Sequence, residues 1–361
     1  VPVLAGTDPQ AVQDAAALLA AGELVAFPTE TVYGLGARAD DDTAVAKIFA
    51  AKGRPADHPL IVHVTSIDAA ESFAATLPVA ARRLMAAFWP GPLTLIVPRR
   101  EGRGAAAAAG QDSIGLRMPA HPVAQALLRQ AAQLGVAGVA GPSANRFGRV
   151  SPTRAEHVAA EFGPALAVLE GGPCAVGIES AIVDCTRGRV ALLRPGQLAA
   201  SRIAAVLGEP LAEPDAASPR ASGTLASHYA PSVPVVLVDG PPAGASMPWP
   251  RVDDLDGARA GEEPPDAGAP AGARPDRAAG VPRVVGVYSR VAPPAPSASG
   301  PAGPLRFLHR PMPPDAAAVA HELFAVLREF DAAGVSAIWV ERPPPGPEWD
   351  GVRDRLQRAA A

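Results

Sequence analysis

Residues 24–27, Leu-Val-Ala-Phe, make a short apolar run of strand character that stops at Pro28. The stretch that follows, Pro28-Thr-Glu-Thr-Val-Tyr-Gly-Leu-Gly, is rich in hydroxyls, a carboxylate and glycine. Proline cannot donate to a strand ladder, so the run ends there and a loop must carry those polar groups to the end of the sheet. An apolar-periodic helix is expected over residues 42–51, ending at Gly53, with Lys52 and Arg54 astride the glycine. Two cations projecting from one exposed helix exit suit a polyphosphate. A strand over residues 60–64 completes a βαβ rhythm, which fits an α/β fold. Thirty of the 32 basic residues are Arg, so a Lys standing beside Arg54 goes against the habit of the chain. Lys47, with no motif around it, shows that a lysine also occurs here without a special reason, and a solvated helix end is the plain alternative.

The rest of the first half keeps the same rhythm. A helix opens at Asp8-Pro9 and ends at Gly22, with a cap candidate at its start and a glycine past its end. Helices over residues 66–77 and 79–89, a Pro-Gly-Pro turn at 90–92, a strand over 93–97, a Gly/Ala loop over 101–113 and a strand-like Ser113-Ile-Gly-Leu-Arg117-Met-Pro follow. A helix over 122–134 leads through 136–140 into Gly141-Pro-Ser143-Ala-Asn145. Ser151 reads as the cap of a helix running to 162. Strands over 166–169, 180–184 and 190–193 carry Glu179-Ser180 and Arg194-Pro-Gly at their ends, and a helix over 199–207 closes the unit. In open α/β sheets ligands lie outside the carboxyl ends of the strands, and several of these ends carry Thr, Arg or Ser.

A length of 361 residues favours about two domains. Composition shifts after Gly208, since 26 of the 42 prolines fall in residues 208–361. We therefore expect a domain over 1–207, a linker over 208–232 and a smaller α/β domain over 233–361. The second domain has strands at 233–238, 284–288 and 337–340, a helix at 316–333, and flexible Pro/Gly/Ala-rich insertions at 241–282 and 291–304. Residues 222–231 break the linker composition with His228-Tyr229, an aromatic pair able to stack on a nucleotide. Residues 1–207 carry 18 basic and 17 acidic side chains, and the remainder 14 and 19, so neither half is the basic surface that non-specific RNA binding needs. Two cysteines, Cys174 and Cys185, make no disulfide framework and no zinc spacing, and no apolar run reaches the roughly 18 residues of a membrane span. A reducing cytoplasm is the expected compartment.

Neither lysine is followed by Ser or Thr after a glycine, which excludes a Walker A loop. Gly34-Leu-Gly36-Ala-Arg-Ala39 is a poor dinucleotide fingerprint, because six residues separate it from the strand and no single acid follows at the right distance. Gly141-Pro-Ser-Ala-Asn lacks the second glycine of a nucleophile elbow. His58 and His63 have no third ligand nearby, so solvated or core histidines are the default.

Together, Pro28-Thr-Glu-Thr-Val-Tyr-Gly-Leu-Gly, Lys52-x-Arg54 with Pro59-Leu60, Arg117-x-Pro119, Pro142-Ser-Ala-Asn145, Glu179-Ser180 and Arg194-Pro-Gly196 resemble the YrdC-like domain of the L-threonylcarbamoyladenylate synthase family. His228-Tyr-Ala-Pro231 and Ile338-Trp-Val-Glu341 resemble the extra domain of its long form. The resemblance implies a YrdC-like twisted open-sheet domain followed by a smaller Rossmann-like α/β domain. It also implies a nucleotidyl transfer in which L-threonine, bicarbonate and ATP give threonylcarbamoyl-AMP and pyrophosphate, for later transfer to adenosine 37 of tRNA by partner proteins.

By the same resemblance Lys52 and Arg54 hold phosphates, while His58, Ser113, Ser143, Asn145, Ser151 and Arg194 contact ATP. Thr31, His63, Arg117, the backbone at Gly141, and Ser180 would hold threonine, with Arg117 forking onto its carboxylate. The linker would lie over the ATP cavity with Tyr229 near the nucleotide, and Mg²⁺ would ride on the phosphates with few protein ligands. Three positions depart from the family habit: His58 stands where Asn is usual, Ala181 where Thr is common, and Ser222 where Pro is common. An RNA-binding or ribosome-assembly module and an O-carbamoyltransferase are the alternatives. The charge balance argues against the first, and the absence of acylphosphatase and zinc-finger segments argues against the second.

Overall fold

The computed structural model describes residues 3–240, 283–293 and 305–361. The first part runs β1 (Val3–Ala5), α1 (Pro9–Ala20), β2 (Val25–Phe27), β3 (Gly34–Arg38), α2 (Asp42–Lys52), β4 (Ile61–His63), α3 (Ile67–Glu71) and α4 (Val79–Phe88). It continues through β5 (Leu93–Pro98), β6 (Ser113–Arg117), α5 (Pro122–Gln133), β7 (Val139–Ala140), α6 (Ala155–Phe162), β8 (Ala167–Glu170), β9 (Ala181–Asp184), β10 (Ala191–Arg194) and α7 (Ala200–Leu207). The strands join one sheet in the order β1-β8-β2-β3-β7-β4-β6-β5-β9-β10. Helices α1 and α5 bury Ala15, Leu19, Leu127 and Leu128 with Val25 and Leu169 in one core. A second core takes Ile48 of α2 and Leu84 of α4 with Tyr33, Phe73 and Leu116.

The sheet is mixed. β4 pairs parallel with β6 but antiparallel with β7, and β2 pairs antiparallel with β3. The segment expected to be all loop after Pro28 is thus a hairpin whose return arm is β3. A Gly-Leu-Gly start gives no strand signal by propensity; the arm is held by packing, because Phe27 lies where a side chain on Gly36 would be. Helix α3 ends at Glu71 instead of reaching 77, since Ser72 Oγ turns back to Ala69 O at 2.7 Å and Ala74 bridges to Arg99. Ser151 does not cap α6. Arg154 occupies that position without a side-chain bond, and Ser151 is drawn into a buried contact described below.

The second part holds β11 (Val235–Val238), β12 (Arg283–Ser289), β13 (Leu305–Pro311), α8 (Ala316–Ala332), β14 (Ala337–Glu341) and α9 (Asp350–Ala359). These strands form a parallel sheet in the order β11-β14-β12-β13. The expected insertions at 241–282 and most of 291–304 lie outside the described residues. β1, β13 and α9 were not foreseen. In α9 only Val352, Leu356 and Ala359 form the apolar stripe, too thin to stand out among three arginines and two aspartates.

One apolar core crosses from the first sheet to the second. Val150, Val176, Ile178 and Tyr229 pack with Phe324, Leu327 and Leu356. Arg328 on α8 adds polar ties to Val150 O and Glu161, the latter at 2.9 Å, and Arg149 pairs with Asp331 at 3.0 Å.

A methyl on Gly36 would stand 2.9 Å from both the Phe27 ring and Val139 Cγ1. Gly36→Ala is expected to lower stability by about 1–3 kcal/mol through overpacking, measured by denaturant unfolding, whereas an unchanged midpoint would show that the hairpin is loosely packed.

Candidate active site

Lys52 ends α2, where Gly53 takes a left-handed conformation (φ 62°) and releases the chain. The helix exit is not solvated as expected: Lys52 is 2% exposed and Arg54 8%. Lys52 Nζ donates to Ser143 O at 2.6 Å and to Asn145 O, so the ammonium is fastened to the Pro142-Ser-Ala-Asn loop through its carbonyls. Arg54 Nη2 donates to Pro59 O at 3.0 Å, and its guanidinium lies 5.7 Å from the centre of the Phe147 ring. Burial pulls the Arg54 pKa down to about 10, which leaves it cationic at neutral pH; burial and then Arg54 pull the Lys52 ammonium well below its ordinary value.

Across the sheet, His63 and Arg117 are register partners on β4 and β6. Arg117 Nη2 donates to Glu30 Oε1 at 2.6 Å and Nε to Gly91 O at 3.2 Å, while Glu30 Oε2 accepts from Ala120 N at 3.0 Å. His63 stands edge-on to Phe27, and its Nδ1 lies 3.0 Å from where a Cβ on Gly141 would be, so a side chain there would strike the ring. Burial, then Arg117, lowers its pKa to about 3 and keeps it neutral. Gly141 N donates to Ile61 O at 2.9 Å, so an end of β7 meets the start of β4. The site therefore draws on strand ends of both senses, a consequence of the mixed sheet, and does not lie along one carboxyl edge.

Thr31 is fully buried with its hydroxyl 2.8 Å from that of Thr29, and Ser180 Oγ is 2.8 Å from Thr94 Oγ1. Arg194 forks onto Ser180 O through Nε (3.1 Å) and Nη2 (3.0 Å) and donates from Nη1 to Ser222 O at 2.8 Å, so three of its five N–H groups go to the backbone. Ser222 Oγ in turn donates to Pro59 O, the same carbonyl that Arg54 uses. Ser113 lines an adjoining cavity with Leu60, Ile61, Thr94 and Ser222. Ser151, buried, donates its hydroxyl to Glu179 Oε1.

The segment around Tyr229 lies against these groups. His58, Phe147 and His228 form successive edge-on contacts at 5.4 and 6.1 Å, His228 lies 4.1 Å from Tyr229, and Tyr229 stacks on Phe324 at 5.5 Å. Phe147, Glu30 and Arg355 are the members that sequence reasoning passed over. Glu30 sat inside the quoted motif and Phe147 is a rare aromatic in a chain with 4% of them, so both left a signal, whereas Arg355 is one arginine among thirty.

Buried side-chain atoms without a protein partner gather here. Among the described residues they include Arg54 Nε, His63 Nδ1, Asn145 Oδ1 and His228 Nδ1. Folded proteins satisfy most buried polar groups, so each of these four atoms calls for a partner that the chain itself does not supply. Among the described residues no set of three or more His, Cys, Asp or Glu converges as metal ligands.

His63 and His228, each held near a pKa of about 3 by burial, make the fold acid-sensitive. Their folded values lie below the unfolded one near 6.5, so the unfolded chain takes up protons that the folded chain refuses; this stability is complete above about pH 6.5 and falls with pH down to about 3. The expected loss is about 1.4 kcal/mol per pH unit per histidine, read from denaturant unfolding between pH 8 and 4.5, and His63→Gln should flatten the slope.

Comparison with known proteins fits this geometry. The family described as Telomere recombination (Sua5, YciO and YrdC) matches residues 17–196, and the one described as Threonylcarbamoyl-AMP synthase, C-terminal domain, matches residues 198–361. The threonylcarbamoyl-AMP synthase of Pyrococcus abyssi is 45% identical over 233 residues, 63% of this chain and 67% of its own; that of Bacillus subtilis is 43% identical over 245 residues, 66% and 69%. The crystal structure of P. abyssi Sua5 complexed with L-threonine superposes with a TM-score of 0.75 at 33% identity, covering 98% of this chain and 95% of that one. A variant of the same protein gives a TM-score of 0.76 at 32% identity, covering 98% and 93%. With both parts of the chain matched and relatives of this identity and coverage, the chain belongs to the threonylcarbamoyl-AMP synthase family.

Proposed function

We propose that this protein is an L-threonylcarbamoyladenylate synthase, converting L-threonine, bicarbonate and ATP to threonylcarbamoyl-AMP and pyrophosphate. The observation that carries this reading is the convergence of buried cations and partnerless polar atoms around Lys52, Arg54 and Arg117 in a chain of this family. The threonine amine attacks the carbon of bicarbonate and water is lost, giving a carbamate. A carbamate oxygen then attacks the α-phosphorus, and the bond to pyrophosphate breaks. Nucleophile and electrophile are both anionic, so most of the catalysis must come from positioning and charge neutralisation.

Lys52 suits the phosphate role because two carbonyls aim its ammonium and leave one donor. Arg54 keeps Nε for a ligand. On the amino-acid side, Glu30 and Gly91 O take Nη2 and Nε of Arg117, so the arginine meets the threonine carboxylate through Nη1 while Glu30 fixes its plane. The lone pair of neutral His63 Nδ1 faces the same region and accepts a donor from the substrate, and Thr31, Ser180 and the Gly141 backbone shape its walls. His58, Ser113, Ser143, Asn145, Ser151, Arg194 and Tyr229 surround the nucleotide, some directly and, for Arg194, by holding Ser180 and Ser222 in place. Mg²⁺ would ride on the phosphates with few protein ligands of its own and neutralise part of their charge. The product passes to transfer proteins that modify adenosine 37 of tRNA. A cytoplasmic location goes with these substrates, and among the described residues no helix is long and apolar enough to cross a membrane.

Pyrophosphate release that requires both threonine and bicarbonate tests the reaction, and ATP consumption indifferent to either would overturn it. Lys52→Met, which keeps most of the buried stem, is expected to lower turnover by roughly 10²–10³-fold, about 2–4 kcal/mol of transition-state stabilisation. Wild-type turnover by the folded variant would remove Lys52 from the phosphate role. Arg117→Lys should weaken threonine binding at least tenfold while ATP affinity stays within twofold, because an ammonium cannot reach Glu30, Gly91 O and a carboxylate together. Titration of each ligand separately distinguishes this from an equal loss for both.

A further inference from the structure

Arg355 lies on α9, outside every motif discussed above, yet its side chain is fully buried. Its Nε donates to Glu179 Oε2 at 2.8 Å and its Nη2 to Glu179 O at 3.2 Å. Nη1 donates to Pro195 O at 3.0 Å and to Asp354 Oδ2 at 2.5 Å. The guanidinium also stands 5.2 Å from the centre of the Tyr229 ring. The other oxygen of Glu179 accepts the Ser151 hydroxyl. A second arginine of the same domain, Arg328, reaches Ser151 O at 3.4 Å and Val150 O.

Space filling does not account for this. A buried guanidinium loses its hydration, and an apolar side chain of similar volume would pack as well, so a charge kept here has geometry to enforce. Burial alone would raise the Glu179 carboxyl; Arg355 and then Arg194 hold it below its ordinary value, so it stays ionised and keeps accepting from Ser151. Ser151 and Tyr229 are two of the groups placed around the nucleotide, and Arg355 governs the first through Glu179 and the second by direct contact. Lys52 and Arg54, which face the phosphates, donate to different groups.

We propose that Arg355 is a positioning residue, supplied by the second domain, that sets Ser151 and Tyr229 for the nucleoside end of ATP without touching the phosphates. The inference rests on the ATP site proposed above. It explains why the second sheet is joined to the first through an apolar core, since a loosely tethered domain could not hold a side chain to hydrogen-bond tolerance.

The test uses the full chain and calorimetric titration with ATP and, separately, with inorganic tripolyphosphate, which offers the phosphates without the nucleoside. Arg355→Lys keeps a charge but not the fork. It is expected to weaken ATP at least tenfold while tripolyphosphate stays within twofold of the parent. Should that variant fail to fold, the charge-free pair Arg355→Met with Glu179→Gln is expected to fold and to show the same split. ATP affinity within twofold of the parent in a folded variant would leave Arg355 a packing residue and overturn the proposal. An equal loss for both ligands would also overturn it, by showing a general loosening of the site. A parent protein that binds neither ligand is a different result, which sinks the ATP site itself.

Discussion

The structure depends on holding positive charge out of water. Lys52, Arg54, Arg117, Arg194 and Arg355 are all buried around one site, while the buried carboxylates beside them are Glu30 and Glu179. Desolvating a cation is costly, and here the cost is offset by carbonyl oxygens: Ser143 and Asn145 for Lys52, Pro59 for Arg54, Gly91 for Arg117, Ser180 and Ser222 for Arg194, and Pro195 for Arg355. Carbonyls stabilise a cation without cancelling its charge. Arg117 and Arg355 are also paired with carboxylates, whereas Lys52, Arg54 and Arg194 are held by carbonyls, so the cluster keeps a positive excess suited to anionic ligands.

The two carboxylates divide the site into two halves. Glu30 fixes the plane of Arg117. Glu179 gathers Ser151 and Arg355. Arg194 joins the halves, since it grips Ser180 next to Glu179 and also holds the linker at Ser222. Each side chain is held by the next, so a set of short loops is tied into one hydrogen-bonded network.

Contact between the domains has the same logic. Tyr229 stands in the left-handed region (φ 64°), unusual for an aromatic residue, and is held there by Phe324 and the Arg355 guanidinium. Such a conformation persists where its surroundings over-determine it, and here those surroundings belong to the second domain. The ring of His228 then continues the aromatic row to Phe147 and Arg54.

Much of the first domain was legible because local rules operate there. Asp8 before Pro9, Gly53 after Lys52 and the prolines after strands announce where elements begin and stop, and Lys52, Arg54 and Arg117 stood out as cations in polar loops. The family, too, could be read from ordered short motifs. What the sequence could not show is whatever depends on distant partners. β3 exists because Phe27 packs against its glycines, Ser151 left its expected cap for Glu179, and Lys52 is buried by carbonyls 91 and 93 residues away. Arg355, 176 residues from Glu179, carries no local mark at all. Propensity and spacing act over a few residues, whereas the desolvation and pairing of charge are settled only when separate parts of the chain come together.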